Sequence, residues 1–344
     1  MKNYIAYFLM SGLLLTNAAC NDEWEDEIYY QNIALKAVIN SEGVTNIYIP
    51  YEGNGEFVYQ LPVIIGGSQI NESDLDIQIE VDKDTLKDLN TERYKLREDL
   101  YYQELPQVNY ELPSGTCHIP AGEWQGLYDI KFKFSGLDLR HKWVLPLTIV
   151  DTDAYDPNPR QNYRKALLRV MPYNDYSGTY SATNMKIYID DDQYSMVVEE
   201  RNLFVMSENQ CFFYAGNISE ELIDREKYKI ALTFNEDGTI GAKAVDSENQ
   251  IDFEVIGQPT YTTRVMEDAT YPYIEHHYTT INMEYRYNDV STYEDYEIPN
   301  RVKGSMSMER KLAYIIHSGF ISGYQNRYGD NLKPPTNVYH RMTA

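Results

Sequence analysis

Apolar residues recur at every second position along much of this chain, and that period of two restricts it to strands with one buried face. Tyr128, Ile130, Phe132 and Phe134 point one way, while Asp129, Lys131 and Lys133 point the other. The period returns at Ile230, Leu232 and Phe234, at Ile251, Phe253 and Val255, and at Ile281, Met283, Tyr285 and Tyr287. Helical spacing is confined to one short segment, expected to run from Asp84 as N-cap through Leu86 and Leu89 to Asn90. Residues 144–150 read VLPLTIV, an almost unbroken apolar run that predicts a central strand covered on both faces. Pro146 within it calls for a bulge or an edge position, because proline has no N–H to give a ladder. Residues 235–238, NEDG, separate two alternating runs and predict a hairpin closed by Gly238. A length of 344 residues suits two domains of ordinary size. The boundary is placed at 171–175, MPYND, where Pro172 is expected to stop a strand. The reading is therefore an all-β chain with domains at 31–172 and 175–344, the closing tail from Leu312 being without a pattern.

The N-terminus reads as an export signal. Lys2 is followed by YIAYFLMSGLLL, long enough for a signal h-region and too short to span a bilayer. TNAAC then ends at Cys20, with Ala18 and Ala19 directly before it. This resembles the lipobox of bacterial lipoproteins, in which the chain is cut before the cysteine and the thiol is acylated. The resemblance implies a signal peptide at 1–19 and an acylated acidic tether at 20–30. Asn17 departs from the usual aliphatic residue, and plain secretion with cleavage near Ala19 is the alternative. Asp22, Glu23, Glu25, Asp26 and Glu27 form an acidic patch that resembles the surface-export signal of Bacteroidota lipoproteins, and that also reads as a solvated tether. The localisation expected from these resemblances is the outer membrane, lipid-anchored and facing the exterior. Cys117 and Cys211 then remain, expected as two buried free thiols, with an interdomain disulfide as the other possibility.

Three pieces between residues 89 and 170 carry a second resemblance: LNTERYKLREDLYYQELPQVNYEL, HIPAGEWQGLYDIKFKF and WVLPLTIV, followed by RKALLRV. In that order they resemble the N-terminal domain of unknown function of Bacteroidota surface lipoproteins, which also precedes family 18 glycoside hydrolases and sugar-binding modules. SGTYSAT, CFFYAGNISEELIDREKYKIALTF and RVKGSMSMERK resemble the companion domain that often follows it. The resemblance implies an immunoglobulin-like β-sandwich followed by a lipocalin-like β-barrel.

Chemistry is sparse. A family 18 hydrolase needs D-x-x-D-x-D-x-E at one strand end. Asp74, Asp76 and Glu80 have the wrong spacing and read as the wet face of a strand. There is no βα alternation, G-x-S-x-G elbow, P-loop or Rossmann fingerprint, so no enzyme and no organic cofactor is expected. His276 and His277 are adjacent and on a strand would face opposite ways. Asp151, Asp153 and Asp156 cluster oxygen ligands in one loop, which makes calcium the candidate metal, with the run at 190–192 as a second place for it. Lys plus Arg total 30 against 53 Asp plus Glu, a net charge of -23, which excludes a nucleic-acid partner.

The chain has 33 Tyr against 10 Phe and 3 Trp, and flat rings with neighbouring carboxylates and amides suit sugar faces. Most must be structural, since Tyr fits half-buried strands. Trp143 is expected in the core. Candidate glycan contacts are Tyr271, Tyr273, Tyr293, Tyr296 and Trp124, the tyrosines flanking the run at 281–287. The function read from this is a non-catalytic surface lipoprotein binding an oligosaccharide or polysaccharide, held to the membrane by its lipid, with an outer-membrane uptake complex as partner. The alternative is a structural or adhesive surface protein that binds another protein.

Overall fold

The computed structural model describes residues 29–51, 55–113, 115–189, 194–271, 274–293 and 295–313. The signal segment, Cys20, most of the acidic tether, the run at 190–192, Tyr273 and the tail from 314 lie outside them.

The first half is a β-sandwich. One sheet has the spatial order Asn32–Leu35, Glu56–Gly66, Gln125–Lys133 and Tyr110–Glu111. The other runs Thr45–Pro50, Lys165–Tyr173, Trp143–Ile149, Leu75–Val81 and Thr116–Ile119. Leu61, Val63, Tyr128, Ile130 and Phe132 from the first face meet Ile47, Ile77, Leu145, Leu147, Ile149 and Leu168 from the second in one core. The alternation in 128–134 is this packing seen in sequence.

Trp143–Ile149 lies inside its sheet and is covered on both sides, as the apolar run predicts. Its outer face is sealed by Leu86 of the helix Lys83–Tyr94 together with Tyr102, which pack on Val144 and Leu167. Pro146 sits at neither a bulge nor an edge. It holds regular register with Leu167, and its carbonyl accepts from the Asp82 N–H at 3.1 Å. Its ring nitrogen faces that same side, where the partner changes from Val81, opposite Leu147, to Glu104, opposite Val144, so no ladder bond is lost. Trp143 is half-buried on the rim of the core, its ring N–H donating to the Asp138 carbonyl at 2.7 Å.

The helix is longer than its spacing predicts. Asp82, not Asp84, is the N-cap, accepting from the Thr85 N–H, and Lys165 bonds its other carboxylate oxygen at 2.7 Å. Asn90 does not end it. Its amide is buried and exchanges two 2.9 Å bonds with the backbone of Tyr102.

The second half is a curled sheet. Its main path is Ser195–Val197, Lys186–Ile189, Ile298–Ala313, Gly178–Ser181, Glu200–Ser207, Gln210–Tyr214, Lys229–Phe234 and Ile240–Ala244. Ile274–Asp289 pairs along the whole of Ile298–Ala313, and carries Glu254–Val255 and Thr260–Glu267 on its other side. A Thr239–Thr260 bridge brings the two margins together, with Ile240 N–H donating to the Pro259 carbonyl and Tyr261 N–H to the Gly238 carbonyl, both at 2.9 Å. The sheet thereby closes into a barrel filled by Phe213, Ile230, Leu232, Ile281, Tyr285 and Val302, among others.

The NEDG hairpin forms with Gly238 at φ +82°. The run at 251–255 is a loop ending in the two-residue strand Glu254–Val255, because Asn249 and Asp252 take positive φ and break the extended path. Pro172 does not stop its strand. Lys165–Tyr173 continues through it because the parallel partner runs to Pro50 while the antiparallel one has already ended.

Cys117 and Cys211 are free and buried in separate cores. Burial pushes the first thiol up to about 11 and the second to about 12, leaving both protonated and unreactive. The two halves are clasped by Arg225, which donates to the Asp99 carboxylate at 2.7 Å, and by Arg97, which donates to the Glu221 carbonyl. Together Arg97 and Arg225 hold the Asp99 carboxyl far below the usual carboxylate range.

Candidate functional site

An open groove of about 430 Å³ lies on the outer face of the barrel. Its origin is two interruptions in strand pairing at the same level. Along Ile298–Ala313 the neighbour changes from Lys186, opposite Lys303, to Ser181, opposite Ser307. The turn at 182–185 swings out between them and carries Asn184. Along Ile274–Asp289 the neighbour changes from Val255, opposite Tyr285, to Thr260, opposite Asn282. The loop at 256–259 rises there, tied by Ile256 N–H to the Glu284 carbonyl at 2.8 Å.

Met283 and Gly304 face each other in the register between these gaps, and Asn282 opposite Ser305 and Glu284 opposite Lys303 form the floor. Met283, Tyr285, Val302 and Met306 point into the barrel, so the residues between them must face out. Gly304 is required: at φ +141° any Cβ would overlap the Asn184 carbonyl oxygen. The groove thus presents amides, hydroxyls, one carboxylate and one ammonium between two raised walls. Arg301 donates from Nε to Glu284 at 2.8 Å and holds its carboxyl below the usual range, so it stays an acceptor at neutral pH. A smaller cavity of about 120 Å³ lies where the two halves meet, lined by Tyr51, Tyr173, Glu208 and Arg310, among others.

The aromatic candidates are not brought together. Tyr271, Tyr293, Tyr296 and Trp124 are all exposed. Tyr271 precedes Ile274–Asp289 and Tyr293 and Tyr296 follow it, so a 16-residue strand, roughly 50 Å of extended chain, separates them. Trp124 belongs to the sandwich, at the start of Gln125–Lys133. None of these lines the groove. The calcium loop is not assembled either. Asp151 is paired with Arg164 at 2.7 Å and Asp156 uses its carbonyl to accept from Ile33. Among the described residues there is no group of three or more His, Cys, Asp or Glu that could hold a metal ion. Asp76 and Glu80 lie on the wet face of Leu75–Val81 as expected.

His276 and His277 point to opposite faces. His276 sits between two carboxylates, Nε2 at 2.8 Å from Asp268 and Nδ1 on Glu309, while Lys311 lies opposite it and Tyr278, which bonds Glu309, stacks beside it. Carboxylates only accept, so both ring nitrogens donate and the imidazole is the cation. Glu309 and Asp268 accordingly raise its pKa, and Asp268, also bonded by the Thr270 and Tyr271 N–H groups, is held down to about 2. A raised histidine pKa gives stability that is complete below its ordinary value and is lost as pH rises through the folded value. Amide-exchange protection at Thr270 and Tyr271, corrected for intrinsic rates, is therefore expected to hold up to about pH 6.5 and decline above it. Protection flat through that alkaline side would refute the bridge.

Sequence reasoning missed the groove. Its floor was legible as the polar half of the alternation at 281–287, but its walls come from turns 100 and 25 residues away, and no local signal reports that they stand opposite one another.

Comparison with known proteins gives a consistent picture. The profile of a domain of unknown function, DUF4973, matches residues 24–153, and the profile of a C-terminal domain matches residues 164–307. No curated protein matches the chain. A Bacteroides ovatus protein of unknown function is 44% identical with a TM-score of 0.75, the match covering 84% of this chain and 97% of that one. A Bacteroides ovatus multidomain protein including DUF1735 is 43% identical, TM-score 0.74, covering 83% and 96%. An auxiliary nutrient binding protein from Bacteroides thetaiotaomicron is 33% identical, TM-score 0.71, covering 81% and 96%. Profiles over both halves, and relatives matched along nearly their whole length, place this chain in that family of two-domain Bacteroides proteins.

Proposed function

We propose that this chain is a non-catalytic surface lipoprotein, anchored through Cys20, that holds a glycan in the barrel groove for an uptake system. The observation that carries the reading is the composition of the groove. Asn184, Thr260, Asn282 and Ser305 offer donors and acceptors together, as sugar hydroxyls require, and the Gln258 amide oxygen adds an acceptor while its nitrogen donates to the Ile240 and Pro259 carbonyls. The nutrient-binding relative supports it at the level of class. A protein partner is the second reading, favoured by the edge strand Ser195–Val197, which leaves Met196 and Val197 exposed.

The test is binding of the soluble chain from Asn21 onward to a broad glycan panel, with released product monitored. Saturable binding without turnover, reduced at least about tenfold in the Asn282→Ala, Ser305→Ala double variant, is the expected result. Silence across the panel from a folded sample, or binding untouched by that variant, would remove the reading in favour of the protein partner or another site.

A further inference from the structure

The outer face beside the groove runs against the charge of the whole molecule. Carboxylates outnumber cations 53 to 30 in this chain. Yet across Ile274–Asp289, Ile298–Ala313 and Lys186–Ile189 the register sets Arg286 opposite Arg301, and Lys303 opposite both Glu284 and Lys186. Ile187, Val302 and Tyr285 between these rows are buried in the barrel, so all four cations share the outward face. Glu254, opposite Arg286, is the other carboxylate on that face in these two rows.

Like charges directly opposite each other destabilise a sheet. Here there are two such pairs on neighbouring rows, Arg286 with Arg301 and Lys303 with Lys186. Glu284 offsets part of the repulsion, bonding Arg301 and lying 3.5 Å from Lys303. Lys186 and Arg286 make no ion pair among the described residues. Adjacent strands lie about 5 Å apart and successive outward residues about 7 Å, so one anion can reach cations of both rows at once. Lys303 belongs to the patch and to the groove floor alike.

From this juxtaposition we infer that the groove takes an acidic glycan, its neutral ring over Asn282 and Ser305 and its anionic substituent over Lys186, Arg286 and Lys303. This rests on the glycan reading above and adds the class of sugar. The shared chemistry is an anion carried on a sugar ring, and either a uronate carboxylate or a sulfate ester supplies it.

Two matched pairs separate those sources: oligogalacturonate against its methyl ester, and a sulfated galactan against its desulfated form. Each is titrated into the soluble chain at low and high salt. The charged member of at least one pair is expected to bind at least about tenfold more tightly at low salt, with the advantage collapsing as salt screens the patch. In the Lys186→Met, Arg286→Met double variant the advantage disappears, while the affinity of any neutral glycan that binds is unchanged, since neither residue lines the groove. Equal affinity for charged and neutral members, or a preference that survives the double variant, overturns the inference and leaves the glycan reading standing. Binding of other panel glycans with none of the charged probes held does the same. Failure of every glycan overturns both.

Discussion

Gly304→Ala is expected to lower the stability of the barrel by about 4 kcal/mol, combining the strain of an L-residue in a glycine-only conformation with overpacking against fixed backbone. The obstacle is the Asn184 carbonyl, part of a turn that cannot retreat without pulling Met185 from the core, where it is 3% exposed. Gly122→Ala is the control. It also has positive φ, +81°, but a Cβ there meets nothing within 4 Å, so the strain alone remains, about 1 kcal/mol. Calorimetry of both variants decides the matter. Equal losses would mean that the turn yields and that the wall of the groove is soft.

Phe132→Ala is expected to cost the sandwich about 4 kcal/mol, the usual range for emptying an aromatic site in a packed core. Phe132 is fully buried, with Phe57 opposite it on one neighbouring strand and Tyr110 on the other. Neither neighbour can fill the space without leaving its own register. For a domain of this size the loss corresponds to a fall of roughly 10 °C in the melting temperature of the sandwich. The barrel core shares no residue with it, so the barrel transition is expected to stay in place. If one transition moved as a whole, the Asp99–Arg225 clasp would be coupling the halves, and the two-core description of stability would be wrong.

The sandwich and the barrel were legible because each buries one face per strand, which leaves a period of two in the sequence. Tyr128 to Phe134 and Ile281 to Tyr287 show it directly. The central strand at 144–150 was legible for the opposite reason, its loss of alternation under a covering helix. Pro146 and Pro172 were misjudged because a missing N–H matters only on the side where a partner needs it, and the partners come from distant segments. The helix was placed too short because Asn90, ordinarily a stop signal, is here a buried bonding group for Tyr102. The aromatic candidates were read as two loops joined by a strand, and the structure keeps that order: Tyr271 precedes the 16-residue Ile274–Asp289, and Tyr293 and Tyr296 follow it.

The margin where the barrel closes is narrow: among the described residues the Thr239–Thr260 bridge and two flanking backbone bonds join it, with the Gln258 amide donating to the Ile240 carbonyl and the Tyr261 hydroxyl to the Asn235 carbonyl. Ladders elsewhere in the barrel run to as many as 16 paired positions. The barrel therefore has a seam there, as it does where Gly178–Ser181 meets Ile298–Ala313 through the single pair Ser181–Ser307, and local opening begins where the fewest bonds must break. Gln258 and Thr260, which form one wall of the groove, are the same stretch of chain. A ligand spanning the groove pins that stretch to the opposite wall, so it favours the zipped form over the gaping one by as much as it prefers the intact wall. Occupancy and closure are then two readings of a single equilibrium, and a filled groove makes a tighter barrel.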